Sequence, residues 1–260
     1  MKILLCLSLI ATVALAIVES VTSLDQFYGV VNNFNATNPT YTVVKYYTNW
    51  CSHCKKLKPV FEQLSESSVL SEVDIVDPAL TSGINFAFFE VDCELFGNML
   101  CKRLDGFPAV EIIKPLRSEL NVTRLEDPRG WIDRLLDTIT NAGYDLTWTL
   151  DTDRIVTFNG RRNLDVFERF VQAVVTSDQW DRVLQLIVND NCSDKDELCE
   201  DGREYFLKMN DETNCAEKIA DIENEMKDLK DVPKDLMLRY MILNKISELN
   251  NEEPLEQDEL

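Results

Sequence analysis

Apolar residues along the 260-residue chain follow two rhythms, and the change near Ser177 divides the sequence. Upstream, short apolar runs alternate with helix-spaced stripes. Residues 23–34 have the spacing of a short amphipathic helix, and Tyr41 to Thr48, rich in Val and Tyr, reads as a buried strand. From Cys51 to about Leu70, the positions Leu57, Val60, Phe61 and Leu64 mark a helix. Pro59 interrupts it, because proline cannot donate the helical hydrogen bond. Ile84 to Val91 predicts a second strand, Glu94 to Leu104 a helix, and Ala109 to Lys114, just after Gly106-Phe107-Pro108, a third strand. Over about 116–150 the rhythm lapses; Pro128 and the helix-spaced 131–139 segment indicate an insertion carrying one helix. It resumes with a strand at Arg154 to Phe158, a turn at Asn159-Gly160, and a closing helix through Leu164, Phe167, Phe170, Val171 and Val174. Such alternation predicts an α/β domain over 22–176, its sheet covered by helices.

Beyond Ser177 only helical spacing remains. Trp180, Val183, Leu184 and Ile187 form one stripe, Ile219, Ile222, Met226 and Leu229 a second, and Leu238, Ile242, Ile246 and Leu249 a third after Pro233. Stripes of this width are core contacts between antiparallel helices, so 177–250 is expected to be a small all-α domain. Residues 251–260, acidic and polar, form a tail.

The two ends add an address. Residues 1–16 combine Lys2, an apolar run and Ala14-Leu15-Ala16, the pattern of a cleaved secretory leader. That run is too short to span a bilayer, and membrane insertion is not expected. Gln257-Asp258-Glu259-Leu260 differs by one residue from the Lys/His-Asp-Glu-Leu sequence read by the endoplasmic reticulum (ER) retention receptor. Together the ends place the chain in the ER lumen, with that receptor as a partner. Sequons at Asn35, Asn121 and Asn191 fit glycosylation in this compartment, while Pro39 excludes Asn38. A net charge of −20 argues against nucleic acid or an anionic membrane as a partner.

An oxidising compartment gives the eight cysteines meaning. Cys6 lies in the leader, leaving an odd number. Cys51-Ser-His-Cys54 follows the first strand at the start of a helix. A structural zinc site needs four ligands, and this chain has one histidine, His53, and no second C-x-x-C, so neither metal nor cofactor is expected. An inert disulfide this short would constrain little chain. A redox pair fits better: Cys51 at a helix N-terminus gains a lowered pKa from the backbone N–H groups and helix dipole, and Cys54, one turn further in, waits as a shielded thiol. His53 brings positive charge toward the Cys51 thiolate, and Trp50 gives an apolar platform beside it. Cys192 and Cys199 bracket an acidic loop and can pair to tie two helices; Cys215 is then left over, although any pairing within this trio is open.

The stretch Tyr47-Thr-Asn-Trp-Cys-Ser-His-Cys-Lys-Lys-Leu-Lys-Pro resembles the active site of the thioredoxin-fold protein disulfide isomerase family, with Ser52 in place of the usual glycine. The resemblance implies a thioredoxin fold followed by a small all-α domain. Phe107 and Pro108 match the family's cis-proline loop, which offers backbone to substrate. Phe158-x-Gly160-Arg161-Arg162-x-Leu matches the opening of its last helix, so Arg162, with Arg161 as runner-up, is the arginine that acts on the resolving cysteine. Cys93 and Cys101 resemble a second, structural pair of fungal isomerases, and Tyr205 to Leu249 resembles a helical D-type domain. Small fungal members join one thioredoxin domain to such a tail. Lys45 stands where many members bury a glutamate that relays protons to the resolving cysteine. A lysine serves there only by giving up a proton inside the fold, and one turned outward serves not at all.

The resemblance implies a protein disulfide isomerase in which Cys51 attacks and Cys54 resolves. Its partners would be unfolded or misoxidised secretory proteins, with an ER oxidase or glutathione recycling the pair. The alternative is a non-catalytic chaperone or adaptor that uses the thioredoxin face and helical domain for binding. An intact Cys51/Cys54 pair with His53 favours the enzyme.

Overall fold

The computed structural model describes residues 17–33, 38–76, 83–117, 148–193, 196–210 and 214–252. The leader, the sequons at Asn35 and Asn121, the 131–139 segment and the retention sequence lie outside the described residues.

Successive residues of a strand face opposite sides of a sheet, and Phe88 and Phe89 use both. They belong to β3 (Asn85–Asp92), which runs parallel to β1 (Val18–Ser20) and to β2 (Thr40–Tyr47). Phe88 packs edge-on against Phe61 of α2 (Ser52–Ser65), with ring centroids 5.8 Å apart; Phe89 meets Phe27 of α1 (Leu24–Val31) at 6.1 Å. With both faces covered, β2 and β3 read as nearly continuous apolar runs rather than alternating ones. Two antiparallel strands, β4 (Ala109–Ile113) and β5 (Ile155–Thr157), complete a five-stranded sheet in the order β1-β3-β2-β4-β5. The α/β alternation of the sequence thus yields a mixed sheet flanked by helices. Strand β1, three residues long, is too short to leave a periodic signal and was not expected.

One expected helix does not form. Instead of an α-helix over Glu94 to Leu104, the chain makes a single π-helical turn at Gly97–Cys101. Cys93 and Cys101 are joined as a disulfide, with their Cα atoms 5.8 Å apart. An α-helix would separate Cα atoms eight residues apart by about 12 Å. The turn also splits its apolar residues. Leu100 and Cys101 enter the core beside α1, whereas Leu95 and Met99 face solvent.

The closing helix is longer than its apolar pattern implies. No glycine or proline interrupts Leu164–Val188, and these 25 residues form one helix, α3. Two compact units, Met1–Glu72 with Ile84–Gln172 and Val73–Gly83 with Ala173–Leu260, divide within it. In the second unit α4 (Glu197–Asn210), α5 (Cys215–Lys227) and α6 (Lys234–Glu252) bury Cys199, Cys215, Ile242 and Ile246 with Val183 and Ile187 of α3. Val76 joins this core: its N–H donates to Gln179 Oε1 at 2.7 Å, and Gln179 Nε2 donates to the Asp74 carbonyl at 3.1 Å. Gly202 lets α4 approach its neighbours closely: a Cβ there would lie 2.6 Å from Ile187 Cδ1 and 2.8 Å from Leu238 Cδ2, so those methyls would have to move. Cys192 and Cys199 are joined as a disulfide, Cys215 is buried and belongs to neither disulfide, and Asn191 is exposed. Among the described residues no helix is long and apolar enough to cross a membrane.

Candidate active site

Strand β2 ends at Tyr47, and Thr48, Asn49 and Trp50 turn the chain into α2. Cys51 is the N-cap of that helix, with extended backbone (φ −76°, ψ 112°) and its Sγ accepting the Cys54 N–H at 3.2 Å. A sulfur here meets N–H groups that have no partner within the helix, together with the positive end of the helix dipole. Cys54 sits one turn inside. Both cysteines are free thiols and both are buried, Cys51 at 6% exposure and Cys54 at 4%. The loop before β4 closes over them. Its Phe107-Pro108 peptide bond is cis, and the Phe107 carbonyl oxygen lies 3.7 Å from Cys51 Sγ as an acceptor. Arg162 donates from Nη2 to the Pro108 carbonyl at 3.1 Å, which brings a cation to the same loop. His53 is exposed on the first turn of α2, and Trp50 is 71% exposed.

The two thiols are separated electrostatically. Burial pushes Cys51 up, but hydrogen bonds from the Cys54 thiol and from the Cys54 and His53 N–H groups, with the charge of Arg162, outweigh it and leave its pKa lowered. For Cys54, burial and the hydrogen bond with Cys51 act together, and its pKa is pushed up to about 11. Cys51 is thereby the more readily ionised of the two sulfurs.

This separation has a measurable consequence. Alkylation by iodoacetamide follows the thiolate fraction, so the rate at Cys51 rises with pH through a midpoint below the ~8.5 of a free cysteine. Arg162→Ala removes a cation that favours the thiolate and moves this midpoint upward. Arg162→Lys restores part of the difference. An unchanged midpoint in Arg162→Ala contradicts the assignment of that charge.

Lys45 does not turn outward. Only 2% exposed, it places Nζ 2.8 Å from Glu90 Oε2 and 5.2 Å from the centroid of Phe61. The parallel register pairs Lys45 with Glu90, so the carboxylate at this level of the sheet comes from β3 instead of β2. Burial raises the Glu90 pKa, but hydrogen bonds from Lys45 and Ser20, with the charges of Lys45 and Lys58, hold it below the usual carboxylate range. The exchange of partners across two strands is invisible in sequence, because neither residue names its neighbour.

A second charge pair, an exposed arginine on a buried carboxylate, lies on the α1 side. Glu111 of β4, 1% exposed, is gripped by both Nη atoms of Arg103, and Arg103 Nη2 also donates to the Tyr46 hydroxyl at 3.0 Å. Burial, and then the Glu111 charge, push the Tyr46 hydroxyl well above its ordinary range. Sequence reading overlooked this cluster, although a glutamate between Val110 and Ile112 was a visible signal.

Residues 20–126 match the family model described as Thioredoxin. Protein disulfide-isomerase 1 of Dictyostelium discoideum is 32% identical over 151 residues, covering 54% of this chain; the chain spans 36% of that relative's length. Among solved structures, human ERp44 form I aligns over 61% of this chain and 29% of its own, with 14% identity and a TM-score of 0.36. Spinach chloroplast thioredoxin F, short form, aligns over 49% of this chain and 95% of its own, with 24% identity and a TM-score of 0.29.

Proposed function

We propose that this chain, whose residues 20–126 match the Thioredoxin family model and which is similar over 54% of its length to a protein disulfide isomerase, is a thiol–disulfide oxidoreductase acting on folding secretory proteins. One observation carries this reading. Cys51 caps α2 with a lowered pKa, 3.7 Å from the Phe107 carbonyl, while burial and the hydrogen bond with Cys51 hold Cys54 up at about 11.

In the reductive direction the Cys51 thiolate attacks one sulfur of a substrate disulfide. A mixed disulfide forms and one substrate thiolate leaves. Cys54 then loses its proton and attacks Cys51 Sγ, releasing the second substrate thiolate and leaving a Cys51–Cys54 disulfide. Oxidation is the reverse: a substrate thiolate attacks Cys51 Sγ in the disulfide and expels the Cys54 thiolate, and a second substrate thiolate then attacks the substrate sulfur of the mixed disulfide and expels the Cys51 thiolate. Isomerisation needs only the first step and its reversal at a different sulfur. Arg162 favours the thiolates that each step requires, and the Phe107-Pro108 loop offers its backbone beside the reacting sulfur. Glutathione or an ER oxidase returns the pair to its working state. The leader and the Gln257 to Leu260 sequence support residence in the ER lumen, and unfolded or misoxidised secretory chains are the substrates such a site would meet there.

Scrambled ribonuclease tests the proposal, because its activity returns only when wrong disulfides are exchanged for correct ones. The chain is expected to accelerate that recovery in a glutathione buffer. Recovery no faster than with the Cys51→Ser variant would leave only the binding role.

A further inference from the structure

The register that pairs Tyr47 with Asp92 continues past the strand ends. The Cys93 N–H donates to the Tyr47 carbonyl at 2.8 Å. Asn49 Nδ2 then donates to Glu94 Oε2 at 2.7 Å and to Asp92 Oδ2 at 2.9 Å, and its backbone N–H reaches Glu94 Oε2 at 3.4 Å. The next residues on the two segments are Trp50 and Leu95, 71% and 76% exposed. Met99 rises from the same disulfide-closed turn at 44% exposure. Large apolar side chains this exposed, carried by two segments that Asn49 ties together beside a nucleophile, mark an interaction surface.

The surface has a sign. Asp92 and Glu94 share a neutral partner, Asn49. Their charges reach the Tyr47 hydroxyl, which is pushed up first by burial and then by Glu90, Asp92 and Glu94. A second copy of a chain with net charge −20 would meet repulsion here. A basic residue would be attracted.

We propose that Trp50, Leu95 and Met99, with Asp92 and Glu94 at their edge, dock an extended client segment in which an apolar and a basic residue flank the reacting cysteine. This rests on the redox reading above and adds a substrate preference to it.

Binding can be measured apart from chemistry. Two decapeptides carry serine in place of the cysteine, one flanked by leucine and arginine and the other by serine and glutamate. Titrated into the intact chain, the leucine–arginine peptide is expected to bind about tenfold tighter, as ~1.4 kcal/mol of discrimination gives. In Leu95→Ser/Met99→Ser the preference falls to about twofold or less. Glu94→Gln, which keeps an acceptor for Asn49, loses about threefold of it, a loss that added salt mimics. Equal affinities in the unmodified chain, or a preference that survives the double substitution, overturn the proposal. Reaction of Cys51 with hydroxyethyl disulfide, small and neutral, reads the redox step separately. Its rate stays within about twofold in both variants if docking alone has changed. A variant that loses this rate along with binding overturns the docking assignment, and an unmodified chain that binds peptide but never reacts overturns the redox reading instead.

Discussion

Replacing Cys51 with serine reduces the recovery of scrambled ribonuclease to the uncatalysed background, while replacing Cys54 with serine traps the chain in covalent complex with its substrate. The difference follows from the order of events. A serine hydroxyl neither ionises near neutral pH nor forms a disulfide, so without Cys51 Sγ no mixed disulfide begins. In Cys54→Ser the attack proceeds, since the backbone N–H groups of residues 53 and 54 and the charge of Arg162, which favour the Cys51 thiolate, are retained. The burial that raises Cys54 to about 11 marks it as the resolving sulfur, and its loss leaves the mixed disulfide to slow external thiols. Non-reducing electrophoresis reads the trapped species directly. It is expected in Cys54→Ser and absent when Cys51 is also serine. Trapping through Cys54 in a Cys51→Ser chain would reverse the assigned roles.

Arg103→Met is expected to destabilise the fold by about 3–5 kcal/mol, the usual cost of leaving a buried charge without its partner. Glu111 is 1% exposed and relies on both Nη atoms of Arg103. Removing the guanidinium leaves a carboxylate inside the sheet, facing Val44 across the β2–β4 register and beside the Tyr46 hydroxyl. The Tyr46 hydroxyl is then left as its hydrogen-bond donor, and taking up a proton relieves the rest of the charge. The double substitution Arg103→Met/Glu111→Leu should recover most of the loss, because an apolar pair of similar volume needs no compensation. Urea unfolding followed by circular dichroism compares the three chains. Unfolding of Arg103→Met at the same urea concentration as the unmodified chain would show that Glu111 finds another partner.

The candidate pair, Cys51 and Cys54, is legible in the sequence because its geometry is local. Cys51, His53 and Cys54 lie within one helical turn, and the strand before them and the helix after them announce themselves by spacing. The partners of that pair come from Phe107, Pro108 and Arg162, far along the chain, and only resemblance to a known family pointed to them. What pattern alone missed depends on register. Lys45 meets Glu90 because β2 and β3 run parallel with an offset that no single sequence displays. Asn49 finds Asp92 and Glu94 through the same offset. Glu94 to Leu104 has the look of a helix in sequence, yet the chain makes only a π-helical turn at Gly97–Cys101, with Leu95 and Met99 exposed and Leu100 buried. A proximity imposed by the Cys93–Cys101 bond cannot be seen in periodicity.

The most direct test is equilibration of the intact chain in buffers of graded reduced-to-oxidised glutathione ratio, followed by thiol alkylation and peptide mass analysis. The account predicts one cooperative two-electron step confined to Cys51 and Cys54, with Cys93–Cys101 and Cys192–Cys199 unchanged across it. Cys51 and Cys54 that stay reduced throughout, or that change only as separate glutathione adducts, would contradict a dithiol–disulfide centre.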